Sequence, residues 1–405
     1  MKYIIFVGDG MGDYPVKELD NKTPLQVADT PNMDFLVKKA NCGKLITIPE
    51  GLQPGSAVAN MSILGYDPKI YFTGRGALEA PSVGVKLTEN DIVFRCNLIT
   101  EKDGKVIDYS SGHITTEESK ELMLFVNKKL GNEDIKFFPG ISYRHILTID
   151  KNRFSEELVC NAPHDFIGEK VTELLTKPRN EKAKETANMI NKIILDSKDI
   201  LEQHPINIKR KQEGKNMGNM VWPWSPGTIP KMKTFKELYN INGAVISAVD
   251  LIFGIGHYAG LDPIHVKGAT GLYDTNYEGK ADATIKALEK YDFVFVHVEA
   301  IDEASHAADL KLKIKTIEDF DKRLIGNVLK KVDLTNTVIA VTPDHATPIE
   351  VKTHTRDPVP FLIYKPNVNP DSVKEFNEYS TENGNFGIVK TIEFIKIVLE
   401  NPINQ

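Results

Sequence analysis

Short, largely apolar runs alternate along much of this chain with longer stretches whose apolar residues recur every three or four positions. The runs Tyr3–Val7, Phe293–Val298 and Val338–Val341 read as buried strands, because a strand covered on both faces needs no polar alternation. Between them the helical period dominates. The first segment predicts strand 3–7, a loop, and a helix from Thr30 to Lys39 with Thr30 as N-cap and Pro31 at its first helical position. Strand 44–48, a Gly/Pro loop and a helix starting near Ser56 follow. The C-terminal part repeats the alternation: strand Ala244–Ala248, a helix to about Gly260, strand 264–266, helix Ala281–Lys290, strand 293–298, helix 303–331, strand 337–342, strand Phe361–Tyr364 and a closing helix Gly387–Leu399. Strands and helices in this order predict an α/β fold, three layers deep, around a mostly parallel sheet.

The middle of the chain has a different rhythm. Residues 92–99 and 105–109 flank Lys102-Asp-Gly104, a hairpin signal. Helix 116–130 comes next, then extended runs at 135–138, 143–149 and 157–160. Paired strands with one or two helices predict a small α+β module at 88–172, inserted into a core made of 1–87 and 173–405. A chain of 405 residues exceeds the usual single domain and has room for both. Segment 181–204 is helical by period, with Ala187, Ile190, Ile194 and Leu201 on one side, and is expected to pack on that core.

Composition narrows the function. A net charge of −6, with lysines spread along the chain, argues against a nucleic-acid partner. An anionic small substrate would then need local positive charge from metals or arginines. Cys42, Cys96 and Cys160 are too few and too far apart for a disulfide framework or a thiolate metal site. The opening residues are too short for a signal-peptide core, and the longest apolar stretch, 243–256, is interrupted by Asp250, so no membrane anchor and a cytoplasmic location are expected.

Three carboxylates stand just past predicted strands: Asp9 after 3–7, Asp302 after 293–298 and Asp344 after 338–341. In a parallel sheet the carboxyl ends of the strands share one edge, so these three would converge there. His306 lies four residues after Asp302, His345 follows Asp344, and His354 comes nine residues later. Mixed oxygen and nitrogen donors in this number suit two divalent ions better than one. Each residue has a blander reading: Asp9 as a turn aspartate in Val7-Gly-Asp-Gly-Met-Gly12, Asp302 and His306 as a solvated helix pair, Asp344-His345 as an exposed turn, and His354 as an exposed loop residue. His297, inside a predicted strand, reads as a satisfied core histidine or one standing behind the ligands. Ser56, in Pro54-Gly-Ser-Ala-Val-Ala-Asn60, is either an ordinary N-cap or a nucleophile at a helix N-terminus, where free N–H groups favour a phosphate.

The chain carries in order Gly8-Asp-Gly-Met-Gly-Asp13, Pro54-Gly-Ser-Ala-Val-Ala-Asn-Met-Ser-Ile-Leu-Gly-Tyr-Asp-Pro68, Gly268-Ala-Thr-Gly271, Ile301-Asp-Glu-Ala-Ser-His306, Thr342-Pro-Asp-His-Ala-Thr-Pro348 and Lys352-Thr-His-Thr-Arg-Asp-Pro-Val-Pro360. This series resembles the cofactor-independent phosphoglycerate mutases of the archaeal type, in the alkaline phosphatase superfamily, over almost the whole chain. The resemblance implies one metal on Asp302, His306 and His354, and another on Asp9, Asp344 and His345 with Ser56 bridging to it. It further implies an isomerase that interconverts 2-phosphoglycerate and 3-phosphoglycerate through a phosphoserine, with manganese most typical, zinc, cobalt or magnesium as alternatives, and no organic cofactor. The inserted module would serve as a lid over the site.

Arginine is the better bidentate partner for carboxylate and phosphate, and the chain has only eight. Arg75, Arg95 and Arg144, in or near the insertion, and Arg356, two residues past His354, are the substrate-binding candidates; a surface salt bridge is the alternative for each. The match departs at Asp108-Tyr-Ser-Ser-Gly-His113, where an arginine near the glycine is expected, and at Ser225-Pro226, where Gly-Gln is expected. A metal-dependent phosphatase, a phosphomutase for another sugar such as a pentose phosphate, and a silent binding protein are the competing functions.

Overall fold

The strand Lys2–Gly8 lies inside an eight-stranded sheet, between Phe293–Val298 and Thr337–Thr342, in a computed structural model that describes residues 1–400. Both neighbours run parallel to it. Gly8 pairs with Val298 and Val7 with Thr342, which brings the three C-terminal ends level. Beyond Phe293–Val298 come Gly243–Ser247 and Asp262–His265, also parallel. Beyond Thr337–Thr342 come Val359–Tyr364, Ala40–Ile46 and Gly387–Lys390, and of these Val359–Tyr364 runs against its neighbours. Seven of the eight strands therefore share one direction, as the alternating pattern predicts.

Both faces are covered, which is why the strands show no polar alternation. On one face Ile4, Phe6, Val294, Val296, Ile339 and Val341 pack with residues of helices Pro31–Val37 and Tyr277–Lys290 and with Ile317, Phe320 and Leu324. On the other, helix Asp250–Tyr258 approaches so closely that a Cβ on Gly256 would stand 2.6 Å from Val245 Cγ1.

Several predicted bounds shift. The expected helix 303–331 is Ala300–His306, then Leu310–Asp319, a π-helical stretch Phe320–Ile325 and Gly326–Leu329. Ala308, with φ +54°, breaks it, and the Asp309 carboxylate caps the next helix by accepting from the Leu312 N–H at 3.0 Å. The closing helix begins only at Glu393; Gly387–Lys390 is an edge strand paired with Ala40–Ile46. Strands expected at 44–48 and 264–266 lie earlier, at Ala40–Ile46 and Asp262–His265.

Two compact units divide the chain: Met1–Phe72 together with the chain from Met232 onward, and Thr73–Lys231. The second is wider than the insertion expected at 88–172, and residues 401–405, which the expected core included, lie outside the described residues. Its sheet is antiparallel. The long strand Asp91–Lys102 pairs with Arg144–Asp150 on one side and Met220–Gly227 on the other, and turns through Asp103 (φ +54°) and Gly104 (φ +77°) into Lys105–Asp108. Positive φ at both turn residues is what the Asp-Gly pair supplies. Helix Lys184–Glu202 places Ala187, Ile190, Ile194 and Leu201 in this unit's core, not in that of the parallel sheet, because the strand after it, carrying buried Trp222 and Trp224, pairs with Asp91–Lys102.

Candidate metal centre and active site

The level ends of three neighbouring strands gather the acidic residues. Asp9 follows Gly8 directly, Asp302 lies in the first turn of helix Ala300–His306, and Asp344 follows Thr342-Pro343. Gly10 turns the chain beneath them at φ +65°, where any Cβ would come within 2.5 Å of Asp302 Oδ1 and 2.8 Å of Thr347 Oγ1. Only glycine fits there.

All three carboxylates are buried, as is His345. His345 Nε2 lies 3.3 Å from Asp9 Oδ1, 3.5 Å from Asp344 Oδ2 and 3.2 Å from Ser56 Oγ. His306 Nε2 is 3.0 Å from Asp302 Oδ2 and 3.1 Å from His354 Nε2, and His354 Nε2 is 3.6 Å from the same carboxylate oxygen. His306 Nδ1 meets the Lys352 carbonyl at 2.9 Å; a carbonyl can only accept, so Nδ1 carries a proton and Nε2 is the ring's metal-facing atom. By proximity alone the donors fall into Asp302, His345 and His354, and Asp9, His297 and Asp344. Against the expected sets, this division moves His345 to the side of Asp302, leaves out His306 and takes in His297 beside Asp9.

The chemistry of the set fits divalent cations. Asp9 Oδ1 is buried without a hydrogen-bond donor. Burial, reinforced by Asp344 and Asp302, pushes the Asp9 carboxyl well above the usual range. Burial also acts to raise Asp302, but hydrogen bonds from His306 and His354 and nearby histidine charge hold it well below. His345 is driven down to about 4 by burial, so it stands neutral with a free lone pair. Crowded buried carboxylates around a neutral His345 are costly until a cation sits among them.

Ser56 opens helix Ser56–Ile63, and Gly55, not Ser56, occupies the capping position; no side chain caps this helix. The N-cap reading of Ser56 therefore fails, and its hydroxyl points at His345 instead. Asn60, one turn on, donates to Asp344 Oδ2 at 2.8 Å and to the Ser56 carbonyl at 2.9 Å. His297 Nε2 lies 3.0 Å from Asp9 Oδ2, with its Nδ1 3.4 Å from Ser247 Oγ, so the strand histidine stands directly behind a candidate ligand. Lys313, wholly buried, ties the loops together by donating to Asp13 Oδ2 at 2.8 Å, the Gly12 carbonyl at 3.2 Å and the Thr347 carbonyl at 2.9 Å. Asn60, Lys313 and Thr347 escaped the sequence reading. The i+4 spacing of Asn60 from Ser56 was the one local signal among them.

The candidate arginines do not form one set. In the second unit Arg75 and Arg95 both pair with buried Glu79, Arg95 Nη1 at 2.8 Å and Arg75 Nε at 3.0 Å, and both lie near the Trp224 ring. Arg144 adds its charge there. Burial would raise the Glu79 carboxyl, but the three guanidinium charges outweigh it and hold it low, while burial brings Arg95 down to about 10. Arg95 Nε has no hydrogen-bond partner. Three cations around one anion leave a net positive group, though Arg95 is buried and committed to Glu79. Arg356, in the first unit, donates to the Leu52 carbonyl on the loop before Ser56. Glu79→Ala would leave a buried guanidinium unpaired and is expected to cost about 3–5 kcal/mol. Both of the chain's tryptophans lie in this unit, so urea unfolding followed by tryptophan fluorescence reads it; a loss below about 1 kcal/mol, the scale of an exposed pair, would contradict the pairing.

A cavity of about 460 Å³ opens beside the cluster rather than on it, with Asp13, Lys44, Asp357, Glu378 and Glu382 in its wall. Its predominance of carboxylates makes it a poor seat for an anion.

Residues 1–401 match the Metalloenzyme superfamily. The 2,3-bisphosphoglycerate-independent phosphoglycerate mutase of Methanosarcina acetivorans is 50% identical over 403 residues, 99% of this chain and 100% of that one. A second enzyme of that name from Methanothermobacter thermautotrophicus is 46% identical over 99% of this chain and 98% of its own. Among solved structures, a Pyrococcus horikoshii protein superposes with a TM-score of 0.83 at 32% identity, covering 100% of this chain and 99% of its own. The cofactor-independent phosphoglycerate mutase of Thermoplasma acidophilum does so with 0.67 at 28%, covering 98% and 99%. Identity of this order along the full length, on a fold with donors gathered at the strand ends, places the chain in the family of 2,3-bisphosphoglycerate-independent phosphoglycerate mutases, within the Metalloenzyme superfamily.

Proposed function

We propose that this chain interconverts 2-phosphoglycerate and 3-phosphoglycerate through a phosphorylated Ser56. The observation that carries the reading is the uncapped Ser56 hydroxyl, at the start of a helix and 3.2 Å from His345 Nε2, among buried donors suited to divalent ions. Asp302, His306 and His354 hold one ion; Asp9, Asp344 and His345, with Ser56, hold the other. Two such ions, when bound, lower the pKa of the serine hydroxyl and neutralise the oxygens of a transferring phosphoryl group. The chain's own groups do the rest. Asn60 holds Asp344, the N–H groups at the start of helix Ser56–Ile63 favour a phosphate, and Arg75, Arg144 and Arg356 are the proposed contacts to the anionic substrate, with Arg95, held on Glu79, contributing its charge to the Arg75 and Arg144 group.

Manganese is the proposed metal, with no organic cofactor, and the cytoplasm the proposed location; among the described residues no helix is long and apolar enough to cross a membrane. Supplying 3-phosphoglycerate without any bisphosphoglycerate, and detecting product through added enolase, tests the function. Steady release of inorganic phosphate with no isomer would identify a phosphatase.

Chelation is expected to abolish turnover and manganese to restore it. Without metal, the hydrogen bond to Asp302 raises the His306 imidazole to about 9, so the ring is protonated at pH 7 and must lose that proton to bind an ion. Metal affinity should therefore rise with pH, up to about tenfold per unit for one released proton, and level off near pH 9. Calorimetric titration in two buffers of different ionisation heat counts the proton. Full activity after exhaustive metal removal, or metal uptake with no proton release, would contradict this assignment.

A further inference from the structure

Every polar atom of Thr347 is engaged inside the cluster. The residue is fully buried. Its N–H donates to the Gly12 carbonyl at 3.1 Å, and its own carbonyl accepts from Lys313 Nζ at 2.9 Å, so the backbone is pinned on both sides. The side chain faces two candidate ligands at once: Oγ1 lies 2.6 Å from Asp302 Oδ1 and 3.1 Å from His345 Nδ1. An ionised carboxylate can only accept, so the hydroxyl proton goes to Asp302. The oxygen is then left as an acceptor, and His345 must carry its proton on Nδ1. That choice frees Nε2, the atom that faces Ser56 Oγ and Asp9 Oδ1.

We propose that Thr347 is a positioning residue that couples the two metal sites: one hydroxyl orients Asp302 in the first and sets the tautomer and angle of His345 in the second. The inference rests on the two-ion reading above. A hydrogen-bonded relay of this form is worth more than orientation of a single ligand, because a change at either end is felt at the other. Valine has the shape of threonine without the hydroxyl, so it leaves Asp302 Oδ1 and His345 Nδ1 unsatisfied while filling the same space. Serine keeps the hydroxyl and loses only the methyl group.

Calorimetric titration of metal-stripped protein with manganese chloride tests this without reference to turnover. Wild type should take up two ions; Thr347→Val should bind both about 10–100-fold more weakly, and Thr347→Ser should recover most of the affinity. Circular dichroism checks folding, and Thr347→Ala takes the place of the valine variant if that one does not fold. Wild-type affinity in the hydroxyl-free variant, weakening of only one ion, or a serine variant as weak as valine would each overturn the coupling. A wild type that takes up fewer than two ions sinks the two-ion reading and this inference with it.

Discussion

Ser56→Ala is expected to lose isomerisation almost completely while remaining folded. Neither the metals nor the arginines can hold the phosphoryl group covalently while the acceptor hydroxyl exchanges. The cost to folding is small, since the Ser56 side chain caps nothing and gives up a single hydrogen bond to His345, about 0.5–1.5 kcal/mol against a typical stability of roughly 5–15 kcal/mol. Wild-type protein quenched after incubation with substrate should carry phosphate on the peptide containing Ser56, and the alanine variant should not. Metal held by Asp9, Asp344 and His345 should weaken without vanishing. If the variant keeps more than about one per cent of turnover, a barrier increase of under about 2.7 kcal/mol, transfer does not pass through this serine.

Asp302→Ala and His345→Ala are expected to cost several orders of magnitude in activity, with metal content falling by about one ion per protein in each. Both residues sit at the edge of the sheet, not between its layers, so circular dichroism should stay close to wild type. His297→Asn makes the informative contrast. His297 touches Asp9 from behind, and burial holds its imidazole neutral, down to about 4, so its loss loosens a ligand without deleting one; a loss of metal affinity of about 10–100-fold, and a milder loss of turnover, is expected. If His297→Asn proved the most damaging of the three, His297 would have to move into the ligand set and His345 out of it.

The convergence of Asp9, Asp302 and Asp344 was legible because a parallel sheet turns a local pattern, an apolar run followed by an acid, into a shared edge. Ser56 needed only its position after Pro-Gly to be singled out. What stayed hidden depends on distant pairing. Nothing local to Met220–Gly227 says that it completes the sheet of Asp91–Lys102, so the second unit was drawn too small and helix Lys184–Glu202 was given to the wrong core. The edge strand Gly387–Lys390 merged with the following helix because Ile388, Ile392, Ile395 and Leu399 carry one helical period through both, and only a partner strand separates them. Glu79 had only its i,i+4 spacing from Arg75 as a signal: it becomes the shared anchor of Arg75 and Arg95 only when folding buries it.

The central strand Lys2–Gly8 leaves the ribosome well before either strand that flanks it, since both begin beyond residue 290. It must wait for the chain beyond residue 290 before it can pair, exposed and apolar in the interval, whereas the strands of Thr73–Lys231 have their sheet partners within a contiguous stretch made earlier. A nascent chain stopped before Asp344 lacks three of the gathered donors, Asp344, His345 and His354, so the cluster around Ser56 can close only after the polypeptide has passed the strands between which Lys2–Gly8 finds its place.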